Sequence, residues 1–250
     1  MRASLNGTLI DAEAPALAAG DRGFTLGDGV FETLAVRDGQ VRRQDRHLDR
    51  LHHGLAVLGI APPDRAELAA ALEDTRAANA LDEGVLRLSV SRGPGGRGVA
   101  AAGAGPATVL VTAQAGRPPQ TPLSAVVARA LRRNPRSPTS RIKSLSYLDN
   151  VLARREAERR GAGEALLLDT RGRLAEASVA NVVLDLDGAA VTPPLADGAL
   201  PGVTRAVLLE AGLLTVARVP GAALNAAREI VLINSLGVRA VICLDGRAVG

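Results

Sequence analysis

Leucines at positions 48, 51, 55 and 58 recur at three- and four-residue spacing between Gln44 and Leu58. That period predicts an amphipathic helix with one buried stripe. A second helical stretch covers Arg65 to Ala78. Strand patterns surround both. Leu5-Asn6-Gly7-Thr8-Leu9 carries a hairpin signal, and the run Val30 to Val36 followed by Asp38-Gly39 carries another. Val85 to Ser91 and Val109 to Ala113 read as further strands, separated by Gly93-Pro94-Gly95-Gly96-Arg97-Gly98, a mobile loop by composition. Gly116-Arg117-Pro118-Pro119-Gln120-Thr121-Pro122 then breaks the pattern and reads as a linker. The expected division is a smaller domain over residues 1–113, a linker over 114–122 and a larger domain over 123–250.

Beyond the linker the periods keep changing. A strand at Ser124 to Ala130 leads through a proline-broken loop to a helix from Ser146 to Arg160, stopped by Gly161. Short strands follow at Ala165 to Asp169 and Ala180 to Leu186, then a helix at Ala206 to Ala211, then strands at Ile230 to Ile233 and Ala240 to Leu244. Strands and helices mix without a regular βαβ alternation, so two α+β domains are expected rather than a doubly wound sheet.

Composition narrows the function classes. A hydrophobic fraction of 47% over 250 residues is ample for packed cores. No long apolar stretch predicts a signal peptide or a membrane span, which makes the cytoplasm the expected compartment. Cys243 sits in Val241-Ile242-Cys243-Leu244 and reads as a buried filler. The net charge of +4 suggests polyanions, but the arginines are interspersed with acids and aromatics make up only 1%. Few rings remain for base stacking, so a small anionic molecule is a better match than nucleic acid. His47, His52 and His53 share one helical stretch without a cysteine or acid cluster and read as surface residues, not metal ligands.

Lys143 is the only lysine; every other cation in the Lys+Arg count of 30 is arginine. Pressure towards arginine would leave such a survivor by chance. However, guanidinium stays charged, whereas an amine can lose its proton and attack a carbonyl, which makes Lys143 a candidate Schiff-base residue. Two later segments supply matching parts. The segment Leu174-Ala175-Glu176-Ala177-Ser178-Val179-Ala180-Asn181 puts an acid in a turn between two apolar strands, and Leu200-Pro201-Gly202-Val203-Thr204-Arg205 opens a helix whose free N–H groups can receive a phosphate. An amine, a carboxylate and a phosphate cradle are what pyridoxal phosphate requires.

The order Lys143, Glu164-Ala165-Leu166, Asp169, Glu176, Asn181, Thr192-Pro193 and Gly202-Val203-Thr204-Arg205 resembles the class IV aminotransferases, the fold type IV pyridoxal-phosphate enzymes. The first half matches them through Asp21-Arg22-Gly23-Phe24-Thr25-Leu26-Gly27-Asp28-Gly29-Val30-Phe31-Glu32 and His47-Leu48-Asp49-Arg50-Leu51. The resemblance implies a two-domain α+β fold like that of D-amino-acid aminotransferase. It implies a homodimer binding pyridoxal 5'-phosphate through Lys143, Arg50, Glu176, Val203, Thr204 and Ser235. Tyr147 resembles the tyrosine at the cofactor's phenolic oxygen, one residue closer to the lysine than in branched-chain enzymes.

Two local patterns resemble the aminodeoxychorismate lyases within that family: Ser91-Arg92-Gly93-Pro94-Gly95-Gly96-Arg97-Gly98 and Asn234-Ser235-Leu236. Arg133-Asn134-Pro135 points the same way. By that resemblance Arg97 would bind a substrate carboxylate, and Phe31 would line the substrate side. Val99 stands where the lyases commonly carry an aromatic. The expected activity is conversion of 4-amino-4-deoxychorismate, a small anionic amine, to p-aminobenzoate and pyruvate. The alternative is transamination of D- or branched-chain amino acids.

Overall fold

The leucine stripe folds as the helix that its spacing predicts. In the computed structural model, which describes residues 1–14, 16–100 and 103–249, that helix spans Gln44–Leu58. Leu48, Leu51 and Leu55 are each no more than 1% exposed. The chain divides into two units: Met1–Pro118 with Ile142–Ser146, and Pro119–Arg141 with Tyr147–Gly250. The break at Pro118 falls inside the expected linker.

In the first unit, strands β1 (Arg2–Leu5), β2 (Thr8–Asp11), β3 (Gly29–Arg37), β4 (Gln40–Val41), β5 (Gly84–Ser91) and β6 (Thr108–Ala115) form one antiparallel sheet. Its order is β2-β1-β6-β5-β3-β4. Helix α1 (Arg22–Leu26) precedes β3, capped by Asp21, whose Oδ1 accepts from Gly23 N at 2.8 Å. Helix α2 (Gln44–Leu58) packs on β3, and α3 (Arg65–Ala78) on β1 and β6. Alternation along β3 sends Val30, Leu34 and Val36 into the core shared with Leu48, Leu51 and Leu55 of α2. Glu32 occupies the same alternate row, so an acid lies on an apolar face. The loop after β5 is pinned at its far end: the buried Arg22 guanidinium donates to the carbonyls of Gly98, Val99 and Ala100, each at 3.1 Å.

The segment Ile142–Ser146 goes with this unit, not with the larger domain expected to carry Lys143. Backbone pairing is the reason. Phe31 N donates to Lys143 O at 2.8 Å, Leu145 N donates to Gly29 O at 2.9 Å, and the Ile142 side chain joins the first unit's core.

The second unit holds a mixed sheet of β7 (Leu123–Val127), β8 (Glu164–Leu168), β9 (Leu174–Ala177), β10 (Asn181–Leu186), β11 (Ala189–Thr192), β12 (Thr215–Val216), β13 (Glu229–Asn234), β14 (Gly237–Leu244) and β15 (Arg247–Ala248). The path runs β12-β11-β10-β13-β14-β7-β8-β9, with β15 on β14. Pairs β14–β7, β7–β8 and β11–β12 are parallel. Helix α4 (Leu148–Arg159) packs on β8, and α5 (Val203–Glu210) on β13. Cys243 is only half-buried, not the enclosed filler its apolar run suggests, and it sits where a register shift between Val241 and Cys243 interrupts the pairing of β14 with β7. No helix of the described residues is long and apolar enough to cross a membrane.

Candidate functional site

Lys143 is half-buried on the short segment that pairs with the start of β3. Its Nζ stands 4.3 Å from the centroid of the Phe31 ring. The Arg87 guanidinium carbon lies 3.8 Å from the same centroid. Register explains the meeting: Arg87 is opposite Thr33, diagonal to Phe31 across β3 and β5. Both cations gain from the ring's electron-rich face. Arg87 is a residue that sequence reading missed, since an arginine in an apolar strand gives no periodic signal until the strand is paired.

On the opposite face of β3, Glu32 meets α2. Its Oε1 accepts from Arg50 Nε at 2.8 Å, and its Oε2 accepts from Arg50 Nη2 at 2.6 Å. His47 Nδ1 lies 2.7 Å from Oε2. Glu32 is 1% exposed. Burial alone would raise its pKa. The Arg50 charge and the hydrogen bonds from Arg50 and His47 outweigh that and hold the carboxyl below its ordinary value. The expectation of three surface histidines is corrected at His47: it is buried one helical turn before Arg50, where the Glu32 carboxylate needs a further donor. His53 is exposed and His52 half-buried. Among the described residues no cluster of His, Cys, Asp or Glu could hold a metal ion. Arg97 is exposed in the loop after β5, and Phe31 is buried.

In the second unit, Glu176 lies not in the expected turn but within β9, whose residues are all buried, because it pairs with Leu167 of β8. Its Oε1 forms a short charge-assisted bond with Arg133 Nη2, and its Oε2 accepts from Leu200 N at 2.8 Å. Arg133 is the second residue missed as an individual partner, because Arg132-Arg133 looks like an ordinary basic pair.

Leu200 leads into the turn at Gly202, which ends without a side-chain cap on α5. A Cβ at Gly202 would collide with Asn181 Oδ1, so any larger residue there must displace the Asn181 side chain. Asn181 Nδ2 donates to Leu200 O at 2.9 Å and fixes the approach to the turn. Thr204 Oγ1 donates to Asn234 O at 2.8 Å. Asn234 Oδ1 in turn accepts from Leu236 N at 2.9 Å and Gly237 N at 3.2 Å. These bonds place half-buried Ser235 in the hairpin that carries Thr204's acceptor. Arg205 is buried, and its Nη2 donates to Pro193 O at 2.9 Å while its Nε has no hydrogen-bond partner. Burial lowers its pKa from the ordinary arginine value. An uncapped helix start with a buried cation behind it fits an anionic group such as phosphate. Tyr147 is half-buried at the cap of α4.

A family model for amino-transferase class IV matches residues 29–242. The chain belongs to the class IV aminotransferases. Members of this class IV aminotransferase family depend on pyridoxal phosphate, so the chain is an enzyme with that cofactor. Among curated relatives, it is 32% identical over 229 residues to a bifunctional aminodeoxychorismate lyase / D-amino acid transaminase of Mycobacterium tuberculosis, covering 84% of this chain and 77% of the relative. Among solved structures, the branched-chain amino acid aminotransferase of Escherichia coli superposes with a TM-score of 0.91 at 25% identity, covering 100% of this chain and 88% of that one. A hypothetical aminotransferase from Mycobacterium tuberculosis in its PLP-bound form gives a TM-score of 0.88 at 27% identity, covering 100% and 93%.

Proposed function

We propose that this enzyme is an aminodeoxychorismate lyase that releases p-aminobenzoate and pyruvate from 4-amino-4-deoxychorismate. One observation carries the reading. Two sequence patterns that lean towards the lyases land on the residues assigned to the cofactor: Arg133 of Arg133-Asn134-Pro135 binds Glu176, and Asn234 of Asn234-Ser235-Leu236 accepts from Thr204. The similarity to the bifunctional aminodeoxychorismate lyase / D-amino acid transaminase of Mycobacterium tuberculosis is compatible with this reading.

In this reading Lys143 holds the cofactor covalently, Glu176 pairs with its ring nitrogen, and Arg50 with the Val203 and Thr204 N–H groups and Ser235 receive its phosphate. Tyr147 contacts its phenolic oxygen. Bound pyridoxal phosphate supplies a carbonyl for the substrate amine and an electron-poor ring. The Lys143 amine takes the proton from substrate C4. The electron pair released at C4 moves into the ring of the substrate and expels the enolpyruvyl oxygen from C3. The departing group becomes pyruvate after gaining a proton, and the remaining ring becomes aromatic. Arg87 and Arg97 supply charge for the substrate's carboxylates, and Phe31 gives its ring an apolar wall. The enzyme works as a homodimer in the cytoplasm.

Incubation with 4-amino-4-deoxychorismate tests this: p-aminobenzoate and pyruvate should appear in equal amounts. Their absence, with amino-group exchange between D-alanine or a branched-chain amino acid and a 2-oxo acid, would assign the enzyme to the transaminases instead.

A further inference from the structure

We propose that Arg133 is the positioning residue that keeps Glu176 ionised and aimed, and so sets the protonation of the cofactor's ring nitrogen. The proposal rests on the assignment of Glu176 to that nitrogen. Glu176 is 4% exposed, and an ionised carboxyl so enclosed persists only with a cation and further donors. Arg133 supplies the cation to Oε1, and the Leu200 N–H supplies the further donor to Oε2. Each carboxylate oxygen accepts more than one hydrogen bond, and these donors, one on each oxygen, orient the group.

Both donors are fixed by their own surroundings. Arg133 N donates to Leu168 O at 2.8 Å, and Thr170 N donates to Arg133 O at 3.1 Å, so the residue runs as an extra bridge beside Asp169. The loop that delivers Leu200 passes over it: a Cβ at Gly198 would stand 3.2 Å from Arg133 Cβ. Arginine also cannot surrender its charge as a buried lysine can. With Arg133 in place, Glu176 accepts a hydrogen bond from a protonated ring nitrogen. Without it, the enclosed carboxyl takes up a proton and offers an O–H to a bare nitrogen instead.

The test uses enzyme loaded with cofactor labelled with 15N at the ring nitrogen, read by NMR, together with the cofactor dissociation constant from equilibrium dialysis. Wild type and Arg133→Lys should show the protonated-ring signal. Arg133→Met should lose it and bind cofactor about tenfold or more weakly, the size of a lost hydrogen bond to a charged group. Arg133→Gln, closer in shape, takes its place if the methionine variant does not fold. In the background of Glu176→Gln, removing Arg133 should leave the ring signal unchanged, which a general structural defect would not produce. A protonated ring in the folded Met or Gln variant, or an equal effect of Arg133 loss with and without Glu176, would overturn the proposal. Failure of wild type to bind cofactor would overturn the underlying assignment itself.

Discussion

The two units each bury an arginine–glutamate pair, and the pairs are built in opposite senses. In the first, one carboxylate gathers a two-pronged fork from Arg50 and a bond from His47, both on α2. Glu32 is the anchor there, and the plane of Arg50 is what becomes fixed. In the second, a single arm of Arg133 and a backbone amide from a different segment converge on Glu176. Here the carboxylate is the group being oriented. In this chain the donors to Glu32 come from one helix and the donors to Glu176 from separate segments, which is the basis for reading Glu32 as the anchor and Glu176 as the group that is aimed.

The comparison can be broken in several ways. The largest effect is expected at Lys143. Lys143→Ala should abolish the visible imine absorbance that borohydride removes, and lower turnover by at least the 10²–10⁴ that a general base supplies. Unchanged absorbance would remove the lysine from the chemistry.

Next, Glu32→Gln leaves the Arg50 charge enclosed without its anion, at a cost of about 3–5 kcal/mol in chemical denaturation. Glu176→Gln should cost less stability and more cofactor affinity. Equal stability losses would erase the distinction between anchor and aimed group.

Acid should find the same asymmetry. The folded Glu32 pKa is held below the ordinary glutamate value of 4.5, so its contribution is present above that value and is lost as pH falls through the lower folded pKa. Wild type should therefore lose more stability between neutral pH and pH below about 4.5 than Glu32→Gln does, checked by denaturation at each pH.

The smallest effect is expected at Asn234→Ala, which removes hydrogen bonds from the turn beside Thr204. It should lower stability by about 1–3 kcal/mol and weaken cofactor binding, measured by thermal melting and dialysis.

Much of the framework was legible because leucine spacing and turn residues act locally. Gln44–Leu58 and Arg65–Ala78 form the helices their periods predict, and both hairpins close where Asn6-Gly7 and Asp38-Gly39 stand. Short elements such as α1 and β9 were not, because few residues carry too little pattern. Ionic partners were the least legible. Glu32 interrupts an apolar row for the sake of residues on another element, and Arg87 reaches Phe31 only through strand register. Lys143 stands out in the sequence by its chemistry, but the unit it belongs to is not legible there, since distance along the chain says nothing about which strand a loop will pair with.

That loop has a consequence for how the chain can be divided. Residues 142–146 complete the first unit after the chain has already entered the second. A fragment ending at Pro118 would lack Ile142 from its apolar interior and the partners of Phe31 N and Gly29 O. A fragment starting at Pro119 would carry Lys143 on a segment that lacks its pairing partner, the start of β3. Cutting at the obvious proline-rich joint therefore yields two incomplete pieces, and the site for any circular permutation or split-reporter insertion must be sought elsewhere.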